Sequence, residues 1–393
     1  MKRTILLLIL ALCLTLASFM VFGTSDVSIW LRWSQSIQAH GLIDGYRLAF
    51  PDYPPLCFVF LAVPTILSAA FGLPWLLLLK LLLLTALIVS TLFVYHWTKS
   101  TLIAIIAYLS LLLSSVTLGY LDVLTAPFLL IGCWLLWQRR FTWAFTLLLI
   151  ASLIKWQPGL LLPFAAIYIL RVTSWRTFIR AVLPSVVIGL VILAVFMLAP
   201  LNAFVAAFSQ NMLSGYALNV NWIATYALEV KAGMLQNGRI EYIPATVWAG
   251  ALVMKAVFAI LYVYILGVLA RKRRPQFEDF LNTGLLGFLT YIMFNTGVHE
   301  NHYFTIALIA GVGFFIDHRW LRSALLWNIV ANINLLLFYG VTGASAYRMI
   351  GNIDLSLPLA VAALGCYMWQ GLLSFRYSPA LAVQPQAVAG GAD

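Results

Sequence analysis

Residues 75–97 read WLLLLKLLLLTALIVSTLFVYHW, an apolar run interrupted by one lysine. At 1.5 Å per residue, such a run in helical form is long enough to cross a hydrocarbon core of roughly 30 Å. Runs of the same kind recur along all 393 residues, which are 63% hydrophobic and only 9% charged. Soluble domains carry nearer a quarter charged residues, so that class is excluded. A chain in lipid must satisfy its own backbone polar groups, which leaves helices or a closed barrel. Apolar residues do not alternate with a period of two, as a barrel would require. The expected fold is therefore all-α, a polytopic integral membrane protein with about 12 transmembrane helices.

The predicted spans are 4–22, 75–97, 101–117, 122–138, 141–155, 158–171, 180–200, 246–270, 279–297, 303–317, 321–340 and 356–375. The first follows Lys2 and Arg3 as a signal peptide would, but no small-residue cleavage site follows it. It is read as a retained signal-anchor helix. One apolar stretch, 55–71 (PLCFVFLAVPTILSAAF), is short and carries Pro64 in its middle. Leaving it in the outer interface puts 15 of the 23 Lys and Arg inside, including Arg271-Lys272-Arg273-Arg274, with 6 outside and 2 within spans (Lys80 and Lys255). Letting it cross flips every later loop and puts the basic cluster outside, against the positive-inside bias. That bias also accounts for the net charge of +11 without invoking nucleic acid. Both termini are expected in the cytoplasm.

The same threading gathers the acids outside. Asp26, Asp44, Asp52, Asp122, Glu229, Glu241, Glu300 and Asp354 fall there, against Glu278, Asp279, Asp317 and Asp393 inside. Two outer loops are long, 23–54 and 201–245, and long loops in compact proteins tend to carry function. Residues 1–376 form one domain, and the Ala/Pro/Gly-rich tail 377–393 is expected to be disordered. Cys13, Cys57, Cys133 and Cys366 lack paired spacing and read as small core residues.

In the first outer loop, Ser25 or Asp26 can cap a short helix from Val27 to Ala39. Ile29, Trp30, Trp33 and Ile37 recur on it at the spacing of an interfacial helix. Asp26 is thus either an N-cap or a carboxylate held at the membrane boundary. Lys155, in the turn Ile154-Lys155-Trp156-Gln157-Pro158, either reaches a lipid phosphate or snorkels to headgroups. Asp122 can bind a sugar, orient an acceptor or cap the fourth helix, while Asp52 more simply fixes the turn at Tyr53-Pro54-Pro55. Asp44 lies in an Asp-Gly turn, and the turn explains it. His299, Glu300 and His302 cluster at a helix end, where ionisable groups are functional by default. Their spacing is not the two-histidine helix motif of zinc proteases, and a divalent metal is not expected. Arg32, Arg239 and Lys231 are further cations outside, and Trp222 or Tyr226 can stack on sugar.

Asp26 at the end of the first span, Arg32-Trp33 six residues on, and Asp52-Tyr53-Pro54-Pro55-Leu56 at the loop's end together resemble the membrane glycosyltransferases of the GT-C class. The pattern is most similar to the dolichyl-phosphate-glucose-dependent glucosyltransferases that extend lipid-linked oligosaccharide. Bacterial polyprenyl-phosphate-sugar mannosyltransferases share a related pattern. Val298-His299-Glu300 resembles that family's late signature, and Gly119-Tyr120-Leu121-Asp122 its acidic outer turn. The matches are scattered from Asp26 to His302, and Asn301 stands where the family commonly has Lys. The resemblance implies a GT-C fold and inverting transfer of a hexose from a polyprenyl-phosphate carrier to a glycan, glycolipid or protein acceptor. It implies Asp26 as the catalytic base and Arg32, Asp52, Tyr53, Asp122, His299 and Glu300 as substrate contacts, to which the residues themselves add Lys155. The sugar carrier is a co-substrate and no other cofactor is implied. The short chain suits a bacterial inner membrane, with the site facing outward among membrane lipids.

Three rivals remain on sequence alone. A transporter or flippase would often show internal repeats and ionisable residues near the midplane, and here those residues gather at one interface. A membrane acyltransferase or polysaccharide ligase would work at the same face. A purely structural subunit would have less reason to cluster its acids.

Overall fold

The computed structural model describes residues 2–344 and 347–376; the predicted tail, 377–393, lies outside the described residues. The fold is all-α. The first half comprises α1 (Lys2–Phe19), α2 (Asp26–Ala49), α3 (Pro55–Phe71), α4 (Trp75–Thr98), α5 (Thr101–Leu112), α6 (Ala126–Trp137), α7 (Phe141–Ile154), α8 (Leu162–Val172) and α9 (Trp175–Val195). Then come α10 (Ala199–Phe208), α11 (Val220–Ala232), α12 (Gly250–Arg271), α13 (Phe277–Phe294), α14 (Tyr303–Ile316), α15 (Leu321–Tyr339) and α16 (Ser356–Arg376). The centre of the bundle is α13, which is buried on nearly every face from Phe277 to Met293.

Five helical segments are long and apolar enough to cross a membrane: Trp75–Thr98, Trp175–Val195, Gly250–Arg271, His318–Tyr339 and Ser356–Ser374. Several others are apolar but shorter, even where 3-10 or π turns extend them. A π turn, Leu113–Thr117, closes α5, and 3-10 turns open α6 (Leu121–Thr125), α8 (Gln157–Leu161) and α14 (Glu300–His302). Only 11% of the apolar stretches of α9 and α12 is buried, and Leu190, Val191, Leu252 and Ile260 stand exposed. Such faces are compatible with a lipid surround.

Three features depart from the sequence reading. The span predicted over 180–200 stops at Val195, because Met197 and Leu198 take positive φ and Pro200 then opens α10. Nearly half of the loop predicted over 201–245 is helical, in the end of α10 and all of α11. The helix predicted over Val27–Ala39 runs on to Ala49, with a break at Gly41 (φ 78°).

Contacts at the helix ends set the direction of the chain. Lys80, near the start of α4, is buried and donates to the carbonyls of Ser18 (2.5 Å) and Val21, at the end of α1. Those carbonyls have no partner inside their own helix, and an ammonium also suits the negative end of the helix dipole. Ser18 further bonds Thr117 (2.6 Å), so the end of α5 lies at the same level. Segment α3 starts beside Asp52, whose carbonyl accepts from Trp156 at the end of α7, and it finishes next to the start of α4. Both its ends therefore lie at one end of the bundle. The other lysine within a predicted span, Lys255, donates to the Phe208 carbonyl at the end of α10 (3.2 Å).

Loops roof this end. Strand β1 (Ser214–Gly215) pairs in parallel with β2 (Val298–His299), and β3 (Met349–Ile350) pairs antiparallel with β4 (Ile353–Asp354). Arg348 is buried beneath the roof, 3.3 Å from Asp354 and 2.5 Å from the Ile240 carbonyl, with Trp222 and Phe338 against its guanidinium. Asp354 also accepts from the Ile240 amide and from Ser356, so the last loop is fastened to the middle one.

Candidate active site

The site grows from the junction of α1, α2 and the turn after α5. Thr24 donates its amide to the Leu118 carbonyl (3.0 Å), and Trp30 donates its indole N–H to the Gly119 carbonyl (3.1 Å). Gly119 holds φ at +79°, and a Cβ there would stand 2.6 Å from Val27 Cγ2. A Cβ on Gly23 would stand 2.7 Å from the Leu118 carbonyl oxygen. This close approach brings the first turn of α2 against the 3-10 turn that carries Asp122.

Asp26 is the first helical residue of α2, and no side chain caps that helix end. The N-cap explanation of Asp26 is thereby removed. Its half-buried carboxylate faces Lys155, Asp52 and Asp122. Burial pushes its pKa up to about 6 from 3.8; Lys155 opposes the rise, and Asp52 and Asp122 add to it.

Lys155 lies in an extended turn immediately after α7, and its ammonium is 2.6 Å from Asp122 Oδ1, with both side chains buried. Asp122 thus binds a lysine instead of capping a helix, and Asn301 donates to its other oxygen (3.3 Å). The Lys155 ammonium also lies 5.5 Å over the Tyr53 ring, which is packed edge-on against Trp30 and Trp33. Asp52 does more than fix its turn: Gln210 donates to Asp52 Oδ2 (3.0 Å), and His299 Nε2 donates to Gln210 Oε1 (2.6 Å). Burial raises the Asp52 pKa, with Lys155 and Gln210 opposing. Burial lowers the His299 pKa to about 4, and Lys155 lowers it further, so the imidazole is neutral at pH 7.

Glu300 accepts the Tyr120 hydroxyl at 2.5 Å, while its second oxygen has no hydrogen-bond partner and stands 4.0 Å from His299 Nδ1. His302 is held on both ring nitrogens, by Gln157 (2.8 Å) and Tyr291 (3.1 Å), which makes it structural. Gly215 lies flat against the His299 ring, where a Cβ would approach within 2.6 Å.

Seven of the eight residues singled out from sequence therefore converge: Asp26, Asp52, Tyr53, Asp122, Lys155, His299 and Glu300. Arg32 does not join them; it points outward on the exposed side of α2. Trp222 is fully buried and bonds Ser356, so it offers no face to a sugar. Gln210, Tyr120 and Trp156 are site members that sequence reasoning missed. No three His, Cys, Asp or Glu side chains among the described residues are arranged to share a metal ion. Chemically, the arrangement offers one half-open carboxylate of raised pKa beside a buried ion pair, with neutral hydrogen-bonding groups around it.

No protein-family model matches the chain, and a search of curated proteins found no significant match.

Proposed function

We propose that the chain is an inverting GT-C-type glycosyltransferase that moves a hexose from a polyprenyl-phosphate carrier to a glycan, glycolipid or protein acceptor, with Asp26 as the general base. In this reading α1, α4 to α9 and α12 to α16 cross the membrane, while α2 and α3 lie in the outer interface. The end that carries Asp26 faces away from the cytoplasm, and the membrane is a bacterial inner membrane. The positive-inside bias supports that orientation, since 15 of the 23 Lys and Arg fall at the opposite end.

The observation that carries the reading is Asp26 itself. An acceptor hydroxyl needs a positioned carboxylate to take its proton as it attacks the anomeric carbon. A carboxylate of pKa about 6 is mostly ionised at pH 7 and is a stronger base than an unperturbed one. One displacement inverts the anomeric centre, so one base suffices. The new bond joins the acceptor oxygen to the anomeric carbon, the bond to the carrier phosphate breaks, and the proton passes to Asp26. Lys155 is committed to Asp122 and acts as a positioning residue: the pair holds local charge beside Asp26 without contacting bulk water.

Lys80 and Lys255, the two cations within predicted spans, each donate to carbonyls at a helix end, which gives them a structural role and favours the transferase reading over a transporter.

The test is sugar transfer by purified protein from a panel of radiolabelled polyprenyl-phosphate sugars, beside Asp26→Asn. Transfer by the wild type that is lost in a folded Asp26→Asn protein is the expected result. Transfer that survives the substitution removes Asp26 from the role of base. Failure to bind any donor of the panel overturns the transferase reading.

A further inference from the structure

At the end of the bundle opposite Asp26, an open groove of about 600 Å³ runs between the start of α7 and the start of α9. Arg139, Arg140 and Arg180 line it, together with Thr142, Trp143 and Thr177. None of the three arginines has an ion-pair partner among the described residues. Asp279, the acid that shares Tyr168 with Arg139 as a neighbour, is already taken by Lys272 at 2.5 Å and closes the capping box of α13. The groove therefore holds three unneutralised charges.

Its geometry is fixed. Arg139 takes φ 59°, in the left-handed region that glycine fills without strain. The turn around it is closed by Arg139 N–H to the Leu136 carbonyl (3.1 Å) and Arg140 N–H to the Leu135 carbonyl (2.8 Å). A cation thus occupies a position where glycine would cost less. Two helices of 14 and 21 residues also start at the groove, and their positive dipole ends favour an anion. Trp143 (67% exposed) stands at the rim, and Trp175 (61% exposed) opens α9. Exposed indoles at such a level anchor to the headgroup zone of a bilayer.

We infer that this groove binds the phosphate headgroup of an anionic phospholipid in the leaflet away from Asp26. Guanidinium forks match phosphate oxygens in paired hydrogen bonds, and the threonine hydroxyls supply further donors. The exposed apolar face of α9, with Ile179, Leu183 and Val187, continues from the groove and accommodates the acyl chains. The inference needs the helices to lie in a membrane; it does not need the transferase reading.

Full-length protein, purified in mild detergent, is incubated with equimolar phosphatidylglycerol and phosphatidylcholine, and bound lipid is counted by native mass spectrometry. A parallel arm adds millimolar inorganic phosphate. The comparison is with Arg139→Gln/Arg140→Gln/Arg180→Gln and with the same three positions changed to Lys. Each basic residue near a lipid surface contributes roughly fivefold, so the Gln triple variant loses about 100-fold in preference for the anionic lipid. The Lys triple variant keeps the charge but not the paired guanidinium bonds, so it retains a clear preference weaker than the wild type's, which separates loss of charge from misfolding. Unchanged preference in a Gln triple variant that elutes as the wild type does overturns the inference. So does displacement of the lipid by inorganic phosphate alone, which would make the groove a site for free anions. Sugar transfer is measured on the same samples; its presence or absence does not decide the lipid question.

Discussion

At the scale of single residues, the site depends on carboxylates held where ionisation is costly. If Asp26 is the base, kcat/KM falls as pH drops below about 6, because the protonated carboxyl cannot accept a proton. His299, with a pKa near 4, contributes no second limb between pH 5 and 8. A pH–rate profile that is flat down to pH 5 removes Asp26 from the role. The same raised pKa has a stability consequence of definite sign. Below pH 4 Asp26 is protonated in both folded and unfolded chains, and burial costs little. Above pH 6 it is ionised in both, and the folded state bears the loss of hydration. Asp26→Asn is therefore expected to raise the thermal midpoint at pH 8 and to leave it unchanged at pH 3.5, while abolishing transfer. Removing the charge of Asp122 has the opposite effect on stability. Asp122→Asn leaves a buried ammonium without its charged partner and should cost about 3–5 kcal/mol in detergent unfolding. Adding Lys155→Met to it should recover most of that loss; a double variant as unstable as Asp122→Asn would mean the pair is not what holds the turn.

At the scale of elements, the alignment of the site depends on how closely α2 approaches the turn after α5. Gly119→Ala brings a Cβ to 2.6 Å from Val27 Cγ2 at a φ of +79°, a conformation that costs an L-residue about 1–2 kcal/mol by itself. Adding Val27→Ala should relieve the clash but not the dihedral, and so restore part of the stability and activity. No rescue would show that the steric contact is not the cause. The sequence made some of these elements legible and hid others. Long apolar runs and the positions of Lys and Arg were enough for helices, their order and the placing of α3 at one end of the bundle. The left-handed residues Met197 and Leu198 leave no periodic trace, so the end of α9 is misjudged. Asp26, Asp122 and Lys155 stood out because charge is rare in such a chain. Gln210 and Tyr120 did not, because neutral polar residues in loops are common. The partners that give them a role, His299 and Glu300, lie 89 and 180 residues away.

At the scale of the molecule, the two ends of the bundle differ in chemistry: acids and aromatic packing surround Asp26, and unpaired arginines line the opposite groove. Sidedness can be measured directly. In a variant lacking the four native cysteines, Gln38→Cys should react with an impermeant thiol reagent on intact cells. Gln138→Cys should react only after the membrane is opened. The reverse pattern would place Asp26 on the cytoplasmic side and refute the proposed orientation. The roof adds a constraint in time. Arg348 and Asp354 fasten the last loop to Ile240, and Asn334 bonds both the Leu218 amide and the Glu300 carbonyl. A ribosome delivers residues 334–356 only after more than four-fifths of the chain has been made. The contacts that roof the end bearing Asp26 are therefore the last that the growing chain can make.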